Sequence, residues 1–423
     1  MTGKTISEKI LSEKSGRDAR AGDLVVCAVD YAMATDGSAP MAIDYFDEMG
    51  GSRVFDPDRI VFVMDHYCSR AHSKTSELQK RMRAFAQKQG IGVHDVGAGI
   101  CHQLMIETGR TRPGGLLVGA DSHSVTGGAL NAFATGIGSS DLAATMICGR
   151  IWLKVPQTIK VTLTGHPGSG IYAKDMALAL AGMLGADGAA YQTLEFDGPA
   201  ATGLDVEDRL VLSNMSVEMG AKAGIFKADR KTLQYLGART AAPLRPVEAD
   251  ADARYSREIT LEVSELAPMI ARPHAVDNVA AIGTSAGTPV QMVFLGTCTA
   301  GRVRDFHQAL RILNAVGRIA PGVQLVVTPA STEVEAELRR DGTLDRLAAL
   351  GATILPPGCG PCCGTAGPTP ADGVNVMSTA NRNFKARMGN AAASIYLASP
   401  AACAAAAATG RITDPREIEG RSK

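Results

Sequence analysis

Residues 60–66 read Ile60-Val61-Phe62-Val63-Met64-Asp65-His66, five apolar side chains in a row closed by an acid and an imidazole. Such a run suits a strand covered on both faces, because a strand with one wet face would alternate apolar and polar residues. Leu116 to Val118 repeats the pattern and leads to Asp121-Ser122-His123, and Val293 to Leu295 and Leu325 to Val327 repeat it again. Between the runs lie stretches of helical periodicity, among them Lys74 to Gln87, Val303 to Leu313 and Thr332 to Leu350. Strand and helix in alternation predict an α/β fold built on parallel sheets.

The middle of the chain changes character. Pro156 to Thr164 reads as a strand, three glycines follow at 165, 168 and 170, and Ala173 to Met183 is helical. A polar, proline-containing stretch runs from Ala241 to Ser256. We place boundaries near residue 155 and between 260 and 288, so that the expected domains are 1–155, 156–280 and 281–423. No repeat of solenoid period is visible. The alanine-rich run Ala401 to Thr409 is too short to span a bilayer.

Lys plus Arg and Asp plus Glu both count 43, so no global field favours nucleic acid or an anionic membrane. Met1 to Leu24 reads as an amphipathic helix with Ile6, Ile10 and Leu11 on one side, without the apolar core of a signal peptide. The expected location is the cytoplasm. Nine cysteines in a chain of this kind point to metal or redox chemistry rather than to a disulfide framework. Cys27, Cys148 and Cys403 sit in apolar surroundings and are expected to pack as small hydrophobes.

Cys359-Gly360-Pro361-Cys362 is a C-x-x-C turn, and by itself it fits zinc, iron-sulfur or dithiol chemistry equally. Its position after Pro356-Pro357-Gly358, late in a long chain, differs from that of a thioredoxin motif. Cys298 is a third candidate, placed between a strand and a helix where backbone N–H groups favour a thiolate. Three thiolates are one short of a closed site, which leaves a metal position open for substrate or water. Cys363 competes with Cys362, and the two-residue spacing favours Cys362.

Asp65-His66, His102-Gln103 and Asp121-Ser122-His123 bring three imidazoles and two carboxylates into the first third of the chain, and two of the three groups stand at strand ends, where open α/β sheets hold ligands. An imidazole oriented by a carboxylate is a ready acid or base near neutral pH. Gly127 to Asp141 is glycine-rich but lacks the order of a phosphate loop, so tight backbone packing is expected there. In Asn381 to Arg387, two arginines five residues apart could grip carboxylates.

Taken in order, Val118 to Ser124, Trp152 to Pro156, Asn214 to Glu218, Gly296 to Thr299, Gly358 to Cys362 and Asn381 to Arg387 resemble the aconitase superfamily, in particular the shorter large subunits of the isopropylmalate isomerase and homoaconitase type. The resemblance runs nearly end to end. It implies three α/β domains around a central cleft, without the swivelling fourth domain. It implies that Cys298, Cys359 and Cys362 hold a 4Fe-4S cluster with one open iron. It also implies the pairs Asp65 with His66, Asp121 with His102 and Glu218 with His123, the His66 pair donating a proton to the leaving hydroxyl. Asp36, Ser38, Ser122, Asn214, Arg382 and Arg387 become the expected substrate-binding positions.

The serine base of the family belongs to the swivelling domain, so the resemblance implies a separate small subunit. The implied activity is that of a hydro-lyase on a substituted malate, with isopropylmalate and leucine biosynthesis leading and homoaconitate or dimethylmalate as alternatives. An iron-responsive RNA-binding regulator and a thiol oxidoreductase are the readings from other classes. The sequence departs from the family pattern at Ala300, where an asparagine is usual, at Ala386, where a glycine is usual, and at Pro40, where aconitases proper carry a glutamine.

Overall fold

In the computed structural model, which describes residues 3–67 and 73–420, Ile60–Val63 is a strand buried along its whole length. It pairs in parallel with Tyr31–Thr35 on one side and Gly92–His94 on the other. Leu116–Gly119 and Phe133–Gly136 extend the sheet beyond Tyr31–Thr35, again in parallel. Helical residues Phe46, Met82, Leu142 and Met146 share one core with strand residues Ile60, Phe62, Leu116 and Val118. That cover explains the unbroken apolar spelling of the strands.

Chain order reverses at Tyr31–Thr35. Ile60–Val63 and Gly92–His94 were added on one side of it, Leu116–Gly119 and Phe133–Gly136 on the other. Such a switch point opens a crevice at the carboxyl ends of the strands, and Asp36, Asp65 and Asp121 all lie just past those ends.

The described residues form two compact units. The first takes in residues up to 96, 101–164 and 187–261, and contains this sheet, an antiparallel pair of Leu24–Ala28 with Arg150–Lys154, and a four-stranded sheet centred on Thr193–Asp197 and Thr158–Thr164. The second takes in residues 97–100, 165–186 and 262 onward. Its seven-stranded sheet runs Val279–Ala281, Met269–Ala271, Ser394–Ala398, Asn375–Ser378, Met292–Leu295, Gln324–Val327, Thr353–Ile354. The five strands from Ser394–Ala398 onward in that order are mutually parallel, and Met269–Ala271 pairs antiparallel on both its sides.

The alanine-rich run is a helix, Pro400–Thr409, buried from Pro400 to Ala408 in the same core as Phe306, Ile312 and Leu313 of helix Val303–Val316. Small side chains let another element approach closely.

Three sequence expectations are corrected. Thr332 to Leu350 is two helices, Thr332–Arg340 and Thr343–Ala349, because Gly342 enters the left-handed region at φ 77° and breaks the hydrogen-bond ladder. The N-terminal helix spans only Ile6–Ser15, closed by Gly16 at φ 67°, although Ile6, Ile10 and Leu11 are buried as expected. Cys148 is exposed at the end of helix Ser139–Cys148, whereas Cys27 and Cys403 are buried and burial pushes both thiols upward.

Candidate active site

In the first unit, Asp36 follows its strand and is buried, so its charge needs partners. It accepts hydrogen bonds from the backbone N–H of His66 at 3.0 Å, that of Tyr67 at 3.1 Å and Nε2 of Gln79 at 3.0 Å. Burial, and after it the nearby Asp65 carboxylate, push Asp36 above the ordinary carboxylate range. Asp36 therefore shapes the turn that carries His66. Gln79, on helix Ser73–Gln89, carried no sequence signal of this role beyond its place in the helix.

Asp65 accepts the backbone N–H of Cys101 at 2.8 Å with one oxygen and faces Nδ1 of His66 at 2.8 Å with the other. Nε2 of His66 lies 3.4 Å from Oδ2 of Asp121, whose Oδ1 lies 2.8 Å from Nε2 of His102. His123 completes the group, with Nε2 2.7 Å from Oε1 of Glu218. All three pairings implied by the resemblance are thus present within this unit.

The electrostatics follow from the geometry. Burial alone would lower the His66 imidazole, but the Asp65 and Asp121 carboxylates outweigh it and hold the ring well above its usual range. Burial alone would raise Asp121, but His102 and His66 outweigh it and hold the carboxyl well below its usual range. The geometry favours the protonated ring, which lies between two carboxylates. Its side chain is 23 % exposed while that of Asp65 is fully buried, so the accessible member is the one that carries the proton.

Ser38 and Ser122 are half-buried. Ser38 Oγ accepts the Thr35 backbone N–H at 3.1 Å, and Ser122 Oγ lies 3.4 Å from Nδ1 of His123. Asn214 is fully buried and donates from Nδ2 to Thr126 Oγ1 at 2.8 Å. A cavity of about 400 Å³ reaches Ser122 from the side of Trp152 and Lys222, and neither His66 nor His102 lines it. The glycine-rich segment serves close packing as expected: a Cβ on Gly128 would fall 1.9 Å from the carbonyl oxygen of Gly224.

In the second unit the loops that carry Cys298 and Cys359 both pack against Thr328. A Cβ on Gly296, two residues before Cys298, would stand 2.7 Å from the Thr328 carbonyl oxygen, and one on Gly360 would stand 2.7 Å from Thr328 Oγ1. Both cysteine-bearing loops close on that residue because each offers a glycine to it. Cys298, Cys359 and Cys362 are 6–7 % exposed. Asn381 Nδ2 donates to Cys298 Sγ and Arg387 Nη2 to Cys362 Sγ, both at 3.3 Å. Cys363 is differently engaged, its Sγ lying 2.8 Å from Thr365 Oγ1. Arg382 is half-buried in the same loop as Asn381.

Two contributors here escaped the sequence reading. Asn381 belongs to the Asn381 to Arg387 segment, whose sequence signal is its two arginines. Arg302, just before helix Val303–Val316, is buried and donates to the carbonyls of Thr299 at 3.0 Å and Cys298 at 2.8 Å.

Comparison with known proteins decides the family. The profile of the Aconitase family (aconitate hydratase) matches residues 8–288 and 283–410. The chain belongs to the aconitase family. Among its aconitase-family relatives, a 3-isopropylmalate dehydratase large subunit 1 of Methanopyrus kandleri is 47 % identical over 98 % of this chain and 99 % of its own. The corresponding protein of Thermotoga maritima is 46 % identical over 98 % and 100 %. A probable methanogen homoaconitase large subunit of Methanosarcina mazei is 45 % identical over 92 % and 99 %. The crystal structure of Thermococcus kodakaraensis aconitase X matches with a TM-score of 0.52 over 85 % of this chain and 84 % of that one; at 13 % identity it supports the α/β fold alone.

Aconitase-family membership makes the chain a hydro-lyase and favours neither the RNA-binding nor the oxidoreductase reading. It also implies an iron-sulfur cluster. The residues present fit one: Cys298, Cys359 and Cys362 are buried thiols, Cys298 and Cys362 accept side-chain N–H groups, and Asn381 Oδ1 and Thr328 Oγ1 are buried without a hydrogen-bond partner among the described residues. Among the described residues no helix is long and apolar enough to cross a membrane.

Proposed function

We propose that the chain is the cytoplasmic large subunit of a two-subunit hydro-lyase that moves water on a 2- or 3-substituted malate, with 3-isopropylmalate as the leading substrate. The observation that carries the reading is the incomplete donor set: three buried thiols, Cys298 and Cys362 among them accepting side-chain N–H groups, number one fewer than a closed site needs. Cys298, Cys359 and Cys362 hold the cluster. When bound, a 4Fe-4S cluster with one open iron supplies Lewis-acid polarisation of a substrate hydroxyl and carboxylate.

The chain's own groups supply the rest. His66, charged and oriented by Asp65 and Asp121, gives its proton to the departing hydroxyl. Asp121 with His102, and Glu218 with His123, hold the surrounding protons in place. Arg382 and Arg387 bind carboxylates by forked hydrogen bonds, and Asp36, Ser38, Ser122 and Asn214 line or shape the substrate position. The base that removes the carbon-bound proton is a serine of the small subunit's swivelling domain, in keeping with relatives named as large subunits.

Homoaconitate is the second substrate reading, favoured by the relative of that name at 45 % identity. The test is a substrate panel. The anaerobically reconstituted chain, combined with the small subunit encoded in the same genome, should raise the ultraviolet absorbance of an unsaturated acid from 3-isopropylmalate. A rise from homocitrate alone would transfer the assignment, and no rise from any substituted malate would remove it.

A further inference from the structure

Lys174 is a cation where the fold should resist one. It is the second residue of helix Ala173–Leu184, in the first turn, where the helix dipole disfavours positive charge. Its side chain is 1 % exposed, so its hydration is lost as well. The compensation is specific: Nζ donates to the carbonyl oxygen of Ala380 at 2.5 Å and to that of Thr379 at 3.3 Å.

Those are the last two peptide carbonyls before Asn381-Arg382. On the other side of the same segment, Thr379 Oγ1 accepts the Gly296 backbone N–H and donates to the Gly296 carbonyl, both at 3.0 Å. Asn381 Nδ2 then reaches Cys298 Sγ at 3.3 Å. The next fixed point is Asn383, whose Nδ2 donates to the carbonyls of Arg272 at 2.9 Å and Ile395 at 3.3 Å. The short arm that carries Asn381 and Arg382 is thus pinned at both ends, and the buried ammonium is one of the pins at the Asn381 end.

We infer that Lys174 is a positioning residue: by clamping the carbonyls of Thr379 and Ala380 it sets Asn381 against the Cys298 sulfur and fixes the start of the arm from which Arg382 projects. The inference rests on the reading of Cys298 as a cluster ligand and of Arg382 as a carboxylate grip. A neutral side chain of similar length could fill the same space, so what the ammonium adds is the hold on two peptide groups. Loss of a hydrogen bond that reaches a ligand in this way weakens the group it holds.

The test compares K174M, N381A and the double variant after anaerobic reconstitution, reading how long the cluster's visible absorbance survives in an iron chelator well below the melting temperature. If Lys174 acts through Asn381, each single variant shortens the lifetime by about tenfold and the double variant is no worse than either. A residue with a merely structural role gives additive losses, or none at that temperature, and either result overturns the inference.

A second measurement needs no cluster. In the cluster-free chain, K174M should speed amide hydrogen exchange across residues 379–383 while residues 324–327 of the same sheet stay protected. Unchanged exchange across 379–383 also overturns the inference. K174Q, which keeps one donor, takes the place of K174M should that variant not fold, with the same outcomes. Wild-type chain that takes up no iron and sulfide sinks the cluster reading instead, while the exchange measurement still decides on Lys174.

Discussion

Nδ1 of His66 stands 2.8 Å from Oδ1 of Asp65. With Asp121 facing the other ring nitrogen at 3.4 Å, the ring has a carboxylate at each end and keeps its proton above the usual imidazole range.

The sign of the resulting pH dependence is fixed. A raised imidazole stabilises the fold and carries its charge fully below the ordinary value of about 6.5, and both are lost as pH rises through the raised value. The alkaline limb of kcat/KM should therefore report this group. D65N should move that limb down by about one pH unit or more, and the His66 ring resonances in nuclear magnetic resonance should move with it. A limb that stays in place in D65N would remove His66 as the donor.

Cys362 and Cys363 are neighbours with different engagements. Arg387 donates to the sulfur of the first, and Thr365 occupies that of the second. C363S should retain iron and sulfide at the wild-type ratio, and C362S should retain little of either. Chemical analysis for both elements after anaerobic reconstitution checks this, and the reverse result would exchange the two assignments.

Ala386 adopts φ 67°, a left-handed conformation that costs a Cβ-bearing residue about 1–2 kcal/mol. Glycine removes that cost but adds about 0.4–1 kcal/mol of chain entropy to the unfolded state. A386G should therefore stabilise the cluster-free chain by roughly 0.5–1 kcal/mol in urea unfolding. A lower urea midpoint in A386G would contradict the strain.

Asp175 is buried at the start of helix Ala173–Leu184, and burial raises its carboxyl to about 7 even though Met269 and Tyr172 donate backbone N–H groups to it. A carboxyl that binds its proton more tightly when folded contributes stability that is complete below about pH 4. That contribution is lost as pH climbs to about 7. D175N should flatten the slope of stability between those limits, whatever it does to stability itself. An unchanged slope in thermal melts across the window would contradict the assignment.

The fold was legible where the chain signals through apolar runs. Ile60–Val63, Leu116–Gly119 and Met292–Leu295 are strands because nothing in them tolerates water, and the Asp-His pairs and Cys298 could be found by looking just past their ends. The break at Gly342 was not legible, because a glycine inside helical periodicity does not declare whether its φ will turn positive. The supports of the site were harder still. Gln79 and Asn381 act through hydrogen bonds to partners that only folding brings near, Arg302 through bonds to the carbonyls of the turn just before it, and Lys174 reaches residues more than two hundred positions away. Such bonds leave no periodicity in the sequence.

The most direct measurement of the central claim is the spectrum of the reconstituted cluster, by Mössbauer or electron paramagnetic resonance, with and without 3-isopropylmalate, in the wild-type chain and in C298A. The account predicts a cluster in the wild type whose signal at one iron changes when substrate is added, and no cluster in C298A. A cluster that persists in C298A, or a wild-type signal indifferent to every substituted malate, would contradict it.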